Sequence, residues 1–200
     1  MRTLPLAVAA LLLTTPVLAQ HAAHEHGVAE LKVAIDGGTV LIEFESPLDN
    51  LVGFEHAPST QAQHDALAAA EATLRQPEAL FALPVAANCT LAEVQLELPY
   101  SGDEGHDHDD DHKHDDKHGH DHDHKHDHDH KHDHDHADED AHADAYAVYQ
   151  FECTNPSALD ALGVSLFQVF PRLEQVRAQV AGSDGQKAAR LDKANPRLAF

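Results

Sequence analysis

Apolar and polar residues alternate along four stretches of the chain, and this period of two is typical of half-buried β-strands. Asp36, Gly37 and Gly38 separate the first two stretches and are typical turn residues, so these strands should form an antiparallel hairpin, which Pro47 ends. The last two strands are also expected to pair antiparallel, on either side of a long connection. The four predicted strands are residues 28–35, 40–44, 90–98 and 145–153.

A helical pattern follows the hairpin. Ser59 or Thr60 is its expected N-cap, and Pro77 ends it, with one further turn predicted over residues 78–83. Most other positions are Ala, Gln or Glu, which favour a helix. The face that packs on the core is expected to consist of Leu67, Ala70 and Leu74.

The pattern is less regular towards the C-terminal end of the sequence. Residues 157–170 are mostly apolar and fit either a helix or a strand, and we favour a short helix that ends before Pro171. After Pro171 we expect an edge strand at residues 175–180, a turn at 182–185, an ambiguous stretch at 186–192 and a last short strand at 196–200.

These elements predict one α+β domain, with a small antiparallel sheet and one or two helices. Its two parts are residues 20–102 and 145–200, and residues 103–144 interrupt it as a long disordered His/Asp-rich loop. The folded parts together have about 130 residues, which is enough for a modest hydrophobic core.

The interruption has an unusual composition. Residues 106–142, here called the histidine-rich segment, contain fifteen of the twenty histidines, most of them one residue apart and separated by Asp. The segment has no Leu, Ile, Val, Phe or Tyr, so it cannot bury enough apolar surface to offset an ordering cost of roughly 1–2 kcal/mol per residue. We therefore expect a solvated, disordered loop.

Neutral imidazole is a good ligand for zinc, and the intervening Asp residues can bind metal or accept a hydrogen bond from the second ring nitrogen. A segment that only solubilised or spaced the fold is the alternative, but Asp and Lys alone would serve that purpose. At about four ligands per zinc, fifteen histidines predict roughly three to five bound ions, and imidazole would also accept nickel, copper or cobalt. The predicted ligands are His106, His108, His112, His114, His118, His120, His122, His124, His126, His128, His130, His132, His134, His136 and His142.

Residues 1–19 fit a secretory signal peptide. Arg2 provides the positive start, an apolar stretch follows, and Val17-x-Ala19 resembles the pattern before a cleavage site. Pro16 interrupts the stretch, which is too short for a good membrane span, and no other apolar run approaches about 20 residues. The sequence therefore predicts export and a mature chain that begins near Gln20 without a membrane span.

Cys89 and Cys153 are the only cysteines, and they flank the histidine-rich segment. In an oxidising compartment such a pair predicts a disulfide, which would clamp the base of the loop and contribute roughly 4 kcal/mol. Two free thiols are the alternative, and a zinc–thiolate site is less favoured because no CxxC pair is present. A simple register with the two cysteines opposite each other places Glu93 opposite Tyr149, which a β-bulge after Cys89 would correct.

A second metal site is predicted near the start of the fold. His24 and His26 are two residues apart and point to the same side of an extended chain, with His21 nearby. The hairpin would bring His56 and Glu55 close to them, so His24, His26 and His56 form the best candidate for an ordered site. The alternatives are a solvated N-terminal arm and a surface histidine at position 56.

The formal net charge of −22 becomes −23 when Arg2 leaves with the signal peptide, and residues 103–144 contribute −14 from eighteen acids and four lysines. This charge excludes nucleic acid and anionic membranes as partners, and it attracts divalent metal ions. Protons compete with metal for imidazole, so uptake should be strong near neutral pH and weak by about pH 5.

Four pieces of the sequence together resemble one known family. They are HAAHEHG, SPLDNLVGFEHAP, the paired cysteines around a His/Asp insertion, and SLFQVFPRLEQVRAQV. The chain resembles the ZrgA-type periplasmic zinc-binding proteins of Gram-negative bacteria over nearly all of its mature length. The resemblance implies a zinc-responsive periplasmic protein that collects metal for a high-affinity zinc ABC importer, and it assigns no individual ligands.

Three functional hypotheses follow. The first is a zinc scavenger that passes metal to an import system, and the second is a sink that detoxifies excess zinc, nickel or copper. The two differ in regulation, since a scavenger is made when zinc is scarce and a sink when metal is plentiful. The third, a zinc enzyme, is disfavoured because the sequence has no HExxH and Glu25 is a poor candidate for a general base.

Overall fold

The computed structural model describes residues 25–102 and 143–200. Within these ranges lie nine strands, four short helices and two 3₁₀ turns, the latter at Val85–Ala87 and Pro156–Ala158. The helices are α1 (Leu48–Val52), α2 (Gln61–Leu74), α3 (Pro77–Leu80) and α4 (Leu166–Val169). The strands are β1 (Val28–Asp36), β2 (Thr39–Pro47), β3 (Phe81–Ala82), β4 (Cys89–Glu97), β5 (Asp144–Cys153), β6 (Ala161–Val164), β7 (Gln175–Gly182), β8 (Gly185–Asp192) and β9 (Arg197–Ala199).

Six strands form the main sheet, in the order β4-β5-β2-β1-β7-β8. The β1–β2 hairpin turns at Gly37 and Gly38 as predicted, and β4 and β5 pair antiparallel. Strands β1 and β7 pair parallel, with Val28 opposite Gln175, while the other neighbours in this sheet are antiparallel. The α+β class predicted from the sequence is confirmed.

A three-stranded sheet in the order β3-β6-β9 and helix α2 lie on one face of the main sheet. The Tyr149 side chain in β5 is fully buried, and its ring contacts the ring of Phe81 at a centroid distance of 5.5 Å. Its hydroxyl donates a hydrogen bond of 2.9 Å to the carbonyl of Leu74 at the end of α2. The core therefore lies between this face and the elements that cover it. Its largest fully buried side chains include Leu31, Ile42, Phe44, Leu48, Leu74, Leu80, Tyr149, Leu162, Leu166, Leu173 and Leu198.

Helix α2 follows its prediction closely. Thr60 is the N-cap, and its hydroxyl accepts a hydrogen bond from the amide of Gln63. The buried residues of the helix are Leu67, Ala70 and Leu74, as the spacing predicts. The turn expected over residues 78–83 is shorter, because α3 ends at Leu80 and the chain continues as strand β3.

The prediction of a helix for residues 157–170 is wrong over most of that range. Residues 161–164 form β6, and only α4 (Leu166–Val169) is α-helical. The cause is non-local, since β6 pairs with β3, about 80 residues earlier, and with β9, about 35 residues later, and these partners satisfy its backbone. The strand expected at residues 175–180 is present as β7. The prediction that it is an edge strand is wrong, because β7 lies between β1 and β8.

The β-bulge predicted after Cys89 is confirmed. The register of β4 on β5 shifts by one residue between Leu91 and Glu93, so that Val94, rather than Glu93, lies opposite Tyr149. Two residues of β4 therefore occupy the space of one on β5, which returns the apolar side chains of β4 to the same face. The ambiguous residues 186–192 belong to β8, and the last short strand, β9, is present.

The disulfide between Cys89 and Cys153 is confirmed, but its position differs from the prediction. Cys89 begins β4 and Cys153 ends β5, whereas residues 103–142 follow the other end of β4 and precede the start of β5. Eight residues separate Cys89 from Glu97, and at about 3.4 Å per residue this places the disulfide about 27 Å from that end of the hairpin. The disulfide therefore does not clamp the base of the loop.

Candidate metal-binding site

In the sequence the histidine-rich segment lies between residues 102 and 143. Residue 102 follows β4 and residue 143 precedes β5, and these two strand ends lie at the same end of the main sheet. At this end β4 terminates, and Asp144 at the start of β5 is paired with Pro47 at the end of β2. The carbonyl of Ala143 accepts a hydrogen bond of 2.8 Å from the amide of Leu48. Strand β1 also begins here, so residues 25–27 of the N-terminal arm lie at the same end of the sheet.

Asn50 in α1 connects three segments at this end of the sheet. The side chain is fully buried, and its Oδ1 accepts a hydrogen bond of 2.6 Å from the amide of Gly27. Its Nδ2 donates to the carbonyl of Val28 at 2.9 Å and to Oγ of Ser46 at 3.1 Å. One amide side chain therefore joins the arm, the start of β1 and the end of β2.

The carbonyl of Gly27 is held from the opposite side. It accepts hydrogen bonds from the amides of Glu174 and Gln175 at 2.8 and 2.9 Å. The φ angle of Gly27 is +82°, a left-handed conformation that favours glycine, and this conformation lets both of its peptide groups be satisfied. The backbone directly after His26 is consequently fixed at both its donor and its acceptor.

His26 meets Glu55, which lies in the loop after α1. The distance between Nε2 of His26 and Oε1 of Glu55 is 3.0 Å. The His26 side chain is 61% exposed and the Glu55 side chain 20% exposed, so water reaches the imidazole more easily than the carboxylate. Tyr100 donates a hydrogen bond of 3.2 Å from its hydroxyl to the backbone carbonyl of Glu55 and so connects this loop to the chain beyond β4.

His56 has a different set of contacts. Its Nδ1 lies 2.8 Å from the carbonyl oxygen of Ala57, and its Nε2 lies 3.5 Å from Nε2 of Gln63 in α2. Its ring stacks on Phe54 with a centroid distance of 5.3 Å. These contacts place the imidazole at the start of α2.

His24 and the fifteen histidines of the histidine-rich segment lie outside the described residues, so the site of His24, His26 and His56 stays a prediction. In residues 25–102 and 143–200, no three His, Cys, Asp or Glu side chains are close enough together to hold a metal ion. His64 is exposed on α2, as expected for a surface residue. The described part of the chain thus offers the pair His26 and Glu55, and any further ligands would come from elsewhere.

The model of the ZrgA family zinc uptake protein matches residues 23–126 and 115–200 of the chain. The chain belongs to the ZrgA family. The match covers the HEHG and GFEHAP pieces, both cysteines and the whole histidine-rich segment, so the resemblance drawn from these pieces is confirmed and gives the protein a zinc-related role. No curated protein matches the chain closely enough to report.

Arg177 in β7 lies beside the arm of this ZrgA-family protein, and the sequence prediction did not single it out. Its guanidinium pairs with the carboxylates of Glu25 and of Glu30, the latter at 3.5 Å. The hydrogen bond to Glu25 raises the pKa of Arg177, desolvation opposes this rise, and the charges of Glu25 and Glu30 and the hydrogen bond to Glu30 add to it. The parallel β1–β7 pairing that brings these residues together is non-local, so no nearby sequence pattern indicated it.

The outer face of the main sheet carries carboxylates near the same end in this family member. Glu45 and Glu97 lie opposite Tyr146 from the two neighbouring strands. Burial raises the pKa of the Tyr146 hydroxyl, and the negative charges of Glu43, Glu45 and Glu97 raise it further. The electrostatic field around the Tyr146 hydroxyl is therefore negative. Within the described ranges, no helix is long and apolar enough to cross a membrane.

Proposed function

We propose that the protein is an exported, non-catalytic zinc-binding protein that collects Zn²⁺ with its histidine-rich segment in the periplasm and supports zinc uptake by donating the metal to an importer. The observation that carries this proposal is the presence of fifteen closely spaced histidines in a chain of the zinc uptake family. The partner would be a periplasmic component of a zinc ABC importer.

The ligand chemistry supports a store of several ions. Zinc takes about four nitrogen, sulfur or oxygen ligands in a tetrahedral arrangement, and imidazoles at every second position can satisfy it without a preformed cavity. Fifteen histidines supplemented by Asp would hold roughly three to five ions. Affinity for each ion should be modest, because a segment of this composition must be ordered on binding, and modest affinity permits release to a receiving protein.

The fold is consistent with a carrier whose segment works independently of its core. The β2–β5 pairing down to Pro47 and Asp144, together with the bond from Leu48 to Ala143, holds the chain where the segment returns. Because these bonds involve only the described residues, we expect the sheet to assemble without metal. The family description, a zinc uptake protein, favours collection for uptake over a detoxification sink.

The proposal is tested by calorimetric zinc titration of three forms of the mature chain at pH 7.5. They are the wild type, a variant lacking residues 105–142, and a charge-matched variant in which the fifteen histidines of the segment are replaced by Asn. We expect several zinc equivalents for the wild type and a loss of most of them in both variants. Repeating the wild-type titration at pH 5 should also remove most of the binding, because imidazole is then protonated.

If the Asn variant bound as much zinc as the wild type, Asp rather than His would be the ligand and the proposal would be wrong. The physiological part is tested by deleting the gene and measuring growth in zinc-depleted and zinc-excess media. Slower growth only under zinc depletion supports a role in uptake. A growth defect only under zinc excess would instead support the detoxification sink.

A further inference from the structure

The two edges of the main sheet differ in how well they are protected against pairing with a further strand. Strand β4 forms one edge, and its backbone is interrupted by the bulge between Leu91 and Glu93. Strand β8 forms the other edge, and its pairing with β7 is regular from Gly185 to Asp192. A regular edge strand presents a row of backbone N–H and C=O groups to which an extended chain can pair, whereas a bulge disrupts this row. The edge that can accept a further strand is therefore β8.

The register of the β7–β8 hairpin identifies the backbone groups at this edge. Gly182 and Gly185 close a two-residue turn, and a pair in this position exchanges both of its hydrogen bonds. Bonded and non-bonded pairs then alternate along the ladder, so residues 186, 188 and 190 direct their N–H and C=O groups away from β7. All three residues are exposed, and within the described ranges β8 pairs with β7 alone. Their backbone groups are therefore accessible to a strand added beside β8.

The surroundings of β8 are basic, although the chain as a whole has a net charge of −22. Four of the eight Lys and Arg residues in the described ranges lie between positions 187 and 197, where Asp192 is the single acid. Lys187 and Arg190 belong to β8 itself, and both are exposed. Nζ of Lys187 donates one hydrogen bond, of 2.8 Å, to the carbonyl of Phe200, and an ammonium group has two further N–H donors. Within residues 25–102 and 143–200, Arg190 forms no ion pair. This edge therefore attracts negative charge.

We propose that β8 is a docking edge for an extended acidic segment of another protein, which adds to the main sheet as a further strand. Ladder hydrogen bonds to residues 186, 188 and 190 supply the affinity, and the side chains of the added strand supply the selectivity. Lys187 and Arg190 are three residues apart and lie on opposite faces of the sheet, so the segment carries two acids at the same spacing, one opposite each cation. Ala188 and Ala189 lie between the two cations, and β-branched residues suit the positions opposite them. This assignment does not depend on zinc binding.

The pattern of side chains favours such a partner over the two occupants that the chain itself could provide. In an antiparallel pairing of β8 with a second copy, two Lys187 and two Arg190 side chains crowd the junction, and like charges on neighbouring strands are destabilising. The histidine-rich segment is acidic, but it has no Leu, Ile, Val, Phe or Tyr, and Asp is depleted in strands. It therefore lacks the residues that pack well beside Ala188 and Ala189.

The test uses the full mature chain and the synthetic peptide TVTEVTEVT, whose two Glu residues are three positions apart. The control peptide has Lys in place of both Glu residues. In an NMR titration at pH 7.5, the Glu peptide should shift the amide signals of residues 186, 188 and 190 and slow their hydrogen exchange, because these amides become bonded. The Lys peptide should do neither. Equal binding of the two peptides, or no binding of the Glu peptide, would overturn the proposal.

Two pairs of variants separate strand addition from simple charge attraction. Ala188→Pro removes an outward N–H without a change of charge and should weaken binding at least about tenfold, whereas Ala92→Pro, in the exposed bulge of β4, should leave it unchanged. Arg190→Gln should weaken binding about two- to fivefold, and Arg75→Gln, the same change of charge at the end of α2, should have almost no effect. Wild-type affinity in Ala188→Pro would show that no strand is added.

A further measurement uses the unmodified protein and stays decisive if Ala188→Pro folds poorly. Two Glu peptides are N-methylated at alternate residues, one at odd and one at even positions, so that only one of them keeps the N–H groups that face β8. One should bind and the other should not, and equal binding would overturn the proposal. The remaining occupants have their own signals. A change of the β8 amide signals on deletion of residues 105–142 would place the chain's own segment on β8, and a dimer in sedimentation that Ala188→Pro abolishes would place a second copy there. Either result would overturn the assignment to another protein.

Discussion

The amide of Cys153 donates a hydrogen bond of 2.7 Å to the carbonyl oxygen of Gly38, and a Cβ atom at Gly38 would lie only 2.6 Å from the carbonyl oxygen of Cys153. The disulfide therefore lies directly against the turn of the β1–β2 hairpin. This turn and the His26–Glu55 pair lie at opposite ends of β1. At one end of the main sheet the disulfide joins β4 to β5, and at the other end lies His26, which the sequence predicts as a metal ligand.

Gly38→Ala should destabilise the protein more than Gly37→Ala. The added methyl group would overlap the backbone of Cys153, which can move only with the disulfide and β5, so we expect a loss of about 2–4 kcal/mol in the free energy of unfolding. Gly37 has φ of +57° with nothing within 4 Å of its Cβ position, and its substitution should cost only the backbone strain of about 1 kcal/mol. Urea unfolding followed by circular dichroism measures both. An equal loss in the two variants would mean that the contact with Cys153 relaxes easily.

Removing the disulfide should reduce stability without changing zinc capacity. The variant Cys89→Ala/Cys153→Ala loses a cross-link across 64 residues, and we expect a decrease of about 2–4 kcal/mol in the free energy of unfolding. Zinc titration at pH 7.5 should give the same number of equivalents, because the disulfide is about 27 Å along the hairpin from the end that precedes residue 103. A reduced zinc capacity in a folded double variant would show that the cross-link does constrain the segment.

Asn50→Ala should affect both the core and the arm. The substitution leaves the Gly27 amide and the Val28 carbonyl without their partner, and at about 1–3 kcal/mol for each buried unsatisfied group we expect a loss of roughly 3 kcal/mol. Hydrogen exchange of the Gly27 amide should accelerate in the same variant. Asn155→Ala is the control, since Asn155 bonds the Ala86 carbonyl at an exposed position and its loss should cost less than about 1 kcal/mol. Unchanged exchange at Gly27 would argue against Asn50 as the anchor of the arm.

Tyr149 predicts how stability changes at high pH. Burial raises the pKa of its hydroxyl above the ordinary value of 10, so the native state keeps a proton that the unfolded chain loses. The stabilising contribution is complete below pH 10 and is lost as the pH rises from there towards the pKa of the native state. The free energy of unfolding should therefore fall by up to about 1.4 kcal/mol per pH unit above pH 10.

The variant Tyr149→Phe should lose most of this decrease in the free energy of unfolding with pH, which urea unfolding between pH 8 and 11 measures. At neutral pH it should already be less stable by about 1–2 kcal/mol, because the Leu74 carbonyl loses its donor. Tyr146→Phe is the matched control and should keep most of the slope, since Tyr146 is only partly buried. A slope that persists in Tyr149→Phe would assign the loss of stability to other groups.

Local patterns were sufficient for much of the fold. The alternation in β1, β2, β4 and β5, the turn at Gly37 and Gly38, and the capped helix α2 are all indicated by residues close together in the sequence. The bulge before Glu93 also followed from a local argument, once Cys89 was placed opposite Cys153. The interpretation of residues 161–164 as helical failed because an apolar run of this length fits both structures until its partners are known.

The candidate site was predicted only in part. The alternation of the hairpin indicated that the arm and the loop after β2 meet, and His26 does contact Glu55 in that loop. The orientation of His56 towards Ala57 and Gln63, and the roles of Asn50 and Arg177, depend on backbone turns and on a parallel strand pairing about 150 residues apart. Spacing along the chain carries no information about such contacts.

The amino-acid sequence by itself indicated the zinc-related role, the pairing of the two cysteines and most of the strands, because composition and short-range periodicity are properties of the chain alone. Only the tertiary structure decided that the disulfide lies at the opposite end of β4 and β5 from residues 102 and 143, that β7 is an inner strand and that Glu55 meets His26. These depend on which distant backbone groups and apolar faces satisfy one another, and that choice is made when the whole sheet assembles.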